Sequence, residues 1–186
     1  PRLHGEAVLG DVAAFGCADG VLLVEKRGRG LSGRKLPYPQ GTPEGVRVRT
    51  LASHPQWPFL VGNFGQGLLL VHPGEGRLQP LPLPARPLRF AFGPEGEALY
   101  VLTEDGRLHR LDKTGKLAGS LEAVSPLAQG APTPGLAVGH GLAFLTDPAR
   151  GEVVRVDLEE FQVTGRFPVG GKPTRVALFQ VEGVKH

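Results

Sequence analysis

Residues 87–122 read PLRFAFGPEGEALYVLTEDGRLHRLDKTGKLAGSLE, and this stretch decides the fold. It contains four short apolar runs, LRFAF, ALYVL, RLHRL and KLAGSL. The runs are separated by GPEG at 93–96, DG at 105–106 and KTG at 113–115. Asp-Gly provides the positive φ angles of a two-residue hairpin turn, and Gly-Pro and Thr-Gly pairs also favour turns. The stretch therefore predicts four strands in one antiparallel meander.

The same pattern recurs along the chain at the spacing of a β-propeller blade. The apolar run that begins at Phe90 has counterparts that begin at Gly5, Leu51, Leu136 and Val176, so successive copies start 46, 39, 46 and 40 residues apart. Such spacing is typical of propellers, which have four strands in each blade. We therefore predict an all-β fold, a β-propeller with four visible four-stranded blades. Their predicted bounds are 1–47, 48–86, 87–133 and 134–172.

A fifth first-strand sequence follows the fourth blade. Residues 173–179 read PTRVALF, and we predict a closing strand over 173–183. This orphan inner strand has no later strand to pair with, and proteins avoid an exposed unpaired edge. We therefore expect residues 1–186 to be a single partial propeller, about half of a ring of seven or eight blades. The remaining blades would come from a missing N-terminal half or from a second copy.

The composition argues against several other classes of protein. The net charge is +3, but aromatic residues are only 6% of the chain and do not cluster with the basic residues, so we expect no nucleic-acid partner. We also expect no membrane span, because no apolar run is long enough. The sequence has no G-x-S-x-G or HExxH motif, and we predict that it is not an enzyme. One asparagine, no methionine and no isoleucine favour a thermophilic source.

The first strands of the repeats carry the candidate ligands of a metal. Their alignment gives one set of equivalent positions at the entrance to the central channel, namely His4, Thr50, Arg89, Gly135 and Arg175. Two residues later, Glu6 stands where the other copies have alanine. Because alternate residues of a strand share a face, His4 and Glu6 are predicted to point the same way and to begin a zinc site. The alternative is a polar pair that lines the channel and hydrogen-bonds to Arg89 or Arg175.

Arg89 and Arg175 occupy matching places in two P-x-R sequences. Together with Thr50, they are predicted to bind a ligand at the channel mouth, where a guanidinium forms paired hydrogen bonds with an anion. In the alternative interpretation, the arginines pair with Glu6 and with acids of the turns. Those turn acids are Asp19, Asp105 and Asp147.

Three other residues carry simpler expectations. His72 and His109 lie on or after third strands and are predicted to be surface residues. Cys17 is the single cysteine, so it is either a small buried thiol or half of a disulfide to a residue upstream.

Two resemblances add to these expectations. Residues 87–117, and the opening PTRVAL at 173–178, resemble the YVTN-type propeller repeat, which specifies only a fold. More narrowly, residues 3–23 are similar to the periplasmic zinc metallochaperones of the AztD-like propeller family. This second resemblance rests on HGEA at 4–7 and on FGC-x-DG at 15–20.

The narrower resemblance implies a non-enzymatic, zinc-binding propeller in metal transport. It implies a periplasmic or secreted location and a partner, the zinc-binding protein of an ABC importer, which would receive the zinc. It also favours a disulfide at Cys17. The alternative function is a propeller scaffold that binds a protein or a small ligand without metal.

Overall fold

The computed structural model describes residues 4–179. In this range the chain forms four antiparallel sheets of four strands each, and no helix. The prediction of an all-β fold with four four-stranded blades is confirmed. The chain divides into two compact units, residues 1–87 and residues 88–186, and each contains two of the sheets.

The first unit contains the first two sheets. The strands of the first sheet are β1 (His4–Leu9), β2 (Val12–Gly16), β3 (Gly20–Arg27) and β4 (Gly30–Pro37). Those of the second sheet are β5 (Leu51–Ala52), β6 (Leu60–Phe64), β7 (Gly67–His72) and β8 (Arg77–Pro82). A shared apolar core joins the two sheets and includes Leu23, Leu60 and Leu69, each with no exposed surface. Proline-containing β8 lies at the edge of its sheet, where a missing backbone donor costs little.

The second unit contains the other two sheets. The third sheet consists of β9 (Pro87–Phe92), β10 (Leu99–Thr103), β11 (Arg107–Leu111) and β12 (Leu117–Glu122). The fourth consists of β13 (Leu136–Val138), β14 (Leu142–Asp147), β15 (Glu152–Asp157) and β16 (Gln162–Pro168). Their common core includes Tyr100, Leu108, Leu145 and Val154. Burying side chains of this size stabilises each by about 1.5–3 kcal/mol relative to exposure.

Strand β5 is shorter than the sequence indicates. The apolar pattern predicts a strand from Val48 to Ser53, but only Leu51–Ala52 is hydrogen-bonded as a strand. The side chain of Asn63 takes the place of the missing ladder: its Oδ1 accepts hydrogen bonds from the amides of Arg49 (3.0 Å) and Thr50 (2.8 Å). A side-chain acceptor thus competes with strand pairing at this point.

The predicted closing strand over 173–183 stays a prediction. Residues 172–179 form no hydrogen-bonded strand with any described part of the chain, and 180–183 lie outside the described residues. The segment does run beside β13, because a Cβ on Gly135 would lie only 2.9 Å from the carbonyl oxygen of Thr174. The predicted strand has no later strand to pair with, so the missing hydrogen bonds do not contradict it.

The prediction that His109 is a surface residue is wrong. Its side chain is 1% exposed, and its Nε2 lies 2.8 Å from Thr103 Oγ1. Thr103 Oγ1 in turn donates to Asp105 Oδ1 at 2.5 Å, so the three residues form a hydrogen-bonded network around one hairpin, in which Thr103 and His109 are buried. His72 is also largely buried: its side chain is 11% exposed and packs against Phe59 with ring centroids 5.1 Å apart.

The burial of His109 predicts a pH dependence of stability. Burial holds the pKa of His109 below its ordinary value of 6.5; the Asp105 carboxylate opposes this, and the nearby charge of Arg107 makes a smaller contribution that lowers the pKa. Burial also lowers the pKa of His72. The unfolded chain therefore binds protons more readily, and stability is lost as the pH falls below about 6.5. We expect a smaller free energy of unfolding at about pH 5.5 than at about pH 7.5, measured by urea denaturation.

The variant His109→Gln isolates this contribution. It is expected to be less stable at both pH values, but with a smaller difference between them. An unchanged difference would show that His109 is not the source of the pH dependence.

Cys17 is a buried free thiol, and its Sγ lies 3.8 Å from the carbonyl oxygen of Phe15. The sequence contains a single cysteine, so the partner of the predicted disulfide would lie outside residues 1–186. The disulfide therefore stays a prediction. No helix within residues 4–179 is long and apolar enough to span a membrane.

Candidate functional site

His4 and Glu6 lie on β1, but the strand does not present them on one face. His4 pairs with Gly16 and Glu6 pairs with Phe15, so two steps along β1 correspond to one step along β2. This is a β-bulge, and it is formed by Gly5 at a φ of +65°. Because consecutive residues of β2 point to opposite faces, His4 and Glu6 also point to opposite faces. Their predicted common face is corrected by this register.

The close packing around Gly5 holds the bulge in place. A Cβ at this position would lie 2.6 Å from the carbonyl oxygen of Arg49 and 3.0 Å from Thr50 Cα. Only glycine allows β1 to approach this segment so closely and adopts a positive φ without strain. The bulge is therefore a built feature that fixes where the His4 side chain points.

The imidazole of His4 has a free nitrogen in the interior. Nε2 is buried and has no hydrogen-bond partner among the described residues, whereas Glu6 is exposed to solvent. Buried polar atoms normally have a partner, and an unpaired ring nitrogen is able to ligate a metal. Within residues 4–179, however, no group of three or more histidine, cysteine, aspartate or glutamate side chains is placed to hold a metal ion. The zinc-ligand role of His4 and Glu6 stays a prediction.

Arg89 and Arg175 are brought together in the second unit. Both are exposed, and both line one open cavity of about 480 Å³. The other lining residues are Gly135, Leu136, Thr174, Val176 and Ala177. None of them is acidic, so the cavity is positively charged.

Thr50 lies in the first unit and is exposed. Its amide donates to Asn63 Oδ1, and its carbonyl accepts from the Asn63 amide at 3.3 Å. Both contacts involve the backbone. The predicted ligand-binding role of its side chain stays a prediction.

The turn acids that would neutralise the arginines have other partners. Asp19 accepts a hydrogen bond from Lys35 Nζ at 2.6 Å, and this bond lowers the pKa of the exposed Asp19 carboxyl. Asp105 accepts from Thr103, and Asp147 accepts from the amide and hydroxyl of Ser125 at 2.8 and 2.9 Å. These contacts leave the alternative pairing of Arg89 and Arg175 with the turn acids without support.

The chain is similar in both sequence and structure to known β-propeller proteins. The zinc chaperone AztD of Citrobacter koseri is 30% identical over 194 residues, which cover 100% of this chain and 46% of AztD. The crystal structure of Citrobacter koseri AztD matches with a TM-score of 0.86 at 29% identity, covering 100% of this chain and 52% of that one. The structure of apo AztD from the same organism matches with a TM-score of 0.81 at 30% identity, covering 95% and 49%.

A more distant match is to the WD40 domain of Neurospora crassa Pan2, with a TM-score of 0.66 at 12% identity, covering 95% of this chain and 55% of that one. At this identity the match shows the fold alone: the chain has the β-propeller fold. Over its whole length the chain is also similar in sequence and fold to AztD, which confirms the predicted resemblance to the AztD-like propeller family. No family model matches, so the YVTN-type repeat stays a prediction. The chain spans about half the length of the relatives that it matches.

Proposed function

We propose that this chain is part of a non-enzymatic zinc carrier, which binds zinc outside the cytoplasm and passes it to the zinc-binding protein of an ABC importer. The observation that carries this proposal is the similarity to the zinc chaperone AztD, which extends over the whole chain in both sequence and fold. Zinc is here the cargo of the protein.

His4 is the residue of this chain that we propose as a ligand of the zinc. Its Nε2 is buried and unpaired among the described residues, so a metal would satisfy it without breaking a hydrogen bond. Glu6 points to the opposite face of β1 and would join the site only if the bulge rearranged. Zinc takes about four N, O or S donors. We propose that the others come from the parts of the carrier that this chain does not include.

The experiment is a zinc titration of the full-length carrier that contains this chain, in competition with a chromogenic chelator. We expect one zinc to bind, and we expect His4→Ala to lower the affinity by at least about tenfold. Loss of a residue that merely orients a ligand already costs about 10–100-fold in metal affinity, and loss of a ligand costs no less.

His140→Ala is the matched control. His140 is an exposed histidine whose Nδ1 lies 3.6 Å from Glu95 Oε1. A surface pair of this kind is able to bind zinc weakly and without specificity, so the variant reports adventitious binding. Its loss is expected to leave the tight site unchanged. Tight binding that survives His4→Ala would remove His4 from the site, and no tight binding at all would contradict the proposed zinc carrier.

A further inference from the structure

We propose that the cavity between Arg89 and Arg175 is a binding site for a small dicarboxylate, independent of any zinc site. The site lies within the second unit. It consists of β9, the start of β13 and residues 174–177.

Both guanidinium groups are available to a ligand. Within residues 4–179, neither arginine has a carboxylate within ion-pair distance. Arg89 donates from Nη1 to the carbonyl oxygen of Leu88 at 2.9 Å, a local bond that orients the group and leaves its other donors unused. Two unpaired cations at one cavity repel each other, and this repulsion is relieved when an anion binds between them.

The shape of the cavity follows from the small residues around it. Gly135 allows the backbone of residues 174–175 to approach β13, because a Cβ there would lie 2.9 Å from Thr174 O and 3.1 Å from Arg175 Cα. Ala177 adds little bulk, and Leu136 and Val176 provide apolar surface for a short hydrocarbon chain. The cavity has room for a small organic molecule, since ligand sites usually measure about 300–1,000 Å³.

The chemistry of the lining selects the class of ligand. A guanidinium binds a carboxylate through two parallel hydrogen bonds, so two arginines suit a molecule with a carboxylate at each end. No lining residue provides a carboxylate that would attract a cation or repel an anion. A single phosphate would fill only a small part of about 480 Å³, which favours the longer dicarboxylate.

The test is calorimetric titration with succinate, using succinamide as a neutral analogue of the same length. The buffer is stripped of metal over a resin, because soluble chelators are themselves polycarboxylates. We expect one succinate to bind, succinamide not to bind, and the affinity to fall as salt is added, since both arginines are exposed. Failure of this test says nothing about zinc, because no metal is present.

Four variants separate specific binding from general charge. Arg89→Gln and Arg175→Gln are each expected to weaken succinate binding by roughly tenfold, the usual effect of a lost charge-assisted hydrogen bond. Arg89→Lys keeps the charge but loses the planar guanidinium that forms two parallel hydrogen bonds. Its affinity for succinate is therefore expected to lie between those of the unchanged protein and Arg89→Gln. Arg29→Gln removes an exposed arginine of the β3–β4 turn, makes the same change of net charge, and is expected to have no effect.

Several results would overturn the proposal. The first is that succinate does not bind. The second is that Arg29→Gln weakens succinate binding as much as Arg89→Gln or Arg175→Gln does, and the third is that neither Arg89→Gln nor Arg175→Gln weakens it. Tighter binding of inorganic phosphate or of a glutamate-rich peptide, with the same dependence on the two arginines, would also overturn it. The cavity would then be a phosphate site or a protein-docking site.

Discussion

Replacing Gly106 with alanine is expected to lower the free energy of unfolding by about 2–4 kcal/mol, among the largest effects of any single methyl group in this chain. Gly106 has a φ of +81°, a conformation that alanine adopts only with strain. The new Cβ would also overlap the carbonyl oxygen of Val124. The measurement is urea denaturation, in which the midpoint falls while the slope stays constant.

The turn has little freedom to relax around the added methyl group. The Gly106 amide donates to Thr103 O at 3.0 Å. Its carbonyl accepts from the amides of Ala123 and Val124, both at 3.0 Å. Any shift that relieves the overlap therefore weakens bonds that hold β10, β11 and the end of β12 together.

Gly141→Ala is the matched control for this prediction. Gly141 has a similar φ of +71°, but no atom lies within 4 Å of the position of its missing Cβ. Only the conformational cost of about 1 kcal/mol is expected there. If both variants lost the same stability, the overlap with Val124 would not contribute.

This turn also shows how much of the fold the sequence could predict. Asp105-Gly106 lies between two apolar runs, and turn chemistry of this kind is local, so it identifies hairpins without knowledge of the rest of the chain. Because the same pattern of turns and apolar runs repeats along the chain, one predicted meander implies four sheets. The all-β fold and the four blades follow from these two signals together.

The direction of individual side chains was harder to predict, and Gly5 explains why. Strict alternation places His4 and Glu6 on one face, but the bulge at Gly5 reverses the pattern between them. A glycine inside an apolar strand pattern is a known sign of a bulge. That sign was present in HGEAV, but the close approach of Arg49 that explains the bulge is a tertiary contact.

For the candidate binding site, too, the sequence predicts one part and tertiary packing decides the other. The equivalence of Arg89 and Arg175 follows from the repeat, since both stand in P-x-R sequences. Their shared cavity depends on the small residues Gly135 and Ala177, which the repeat does not identify as important. Sequence repetition thus locates the charges, and packing decides whether they act on one ligand.

The hydrogen-bonded network at His109 was missed, although its members are close in sequence. Thr103, Asp105 and His109 lie within the seven residues TEDGRLH, on the two sides of one turn. Leu108 is apolar, so strict alternation along the strand places the next residue, His109, on the opposite and exposed face. Leu108 and His109 lie on opposite faces of β11 and both are buried, so neither face of the strand is exposed at this point.

Thr103→Val tests the energetic importance of this network. The carboxylate of Asp105 only accepts hydrogen bonds, so the Thr103 hydroxyl donates to it and Nε2 of His109 donates to the hydroxyl. Nδ1 of His109 has no partner among the described residues. Valine has the shape of threonine but no acceptor, so the variant would leave both ring nitrogens buried and unpaired. We expect a loss of about 2–3 kcal/mol.

Thr164→Val is the control, because it makes the same change on an exposed strand. Thr164 Oγ1 accepts from Arg155 Nε at 3.0 Å, and water is able to replace this bond. Its loss is expected to cost at most about 0.5 kcal/mol in the same urea denaturation. The difference between the two threonines then measures the cost of leaving His109 unpaired in the core. A loss at Thr103 no larger than the loss at Thr164 would mean that His109 finds another partner, and the pH dependence predicted for its burial would weaken with it.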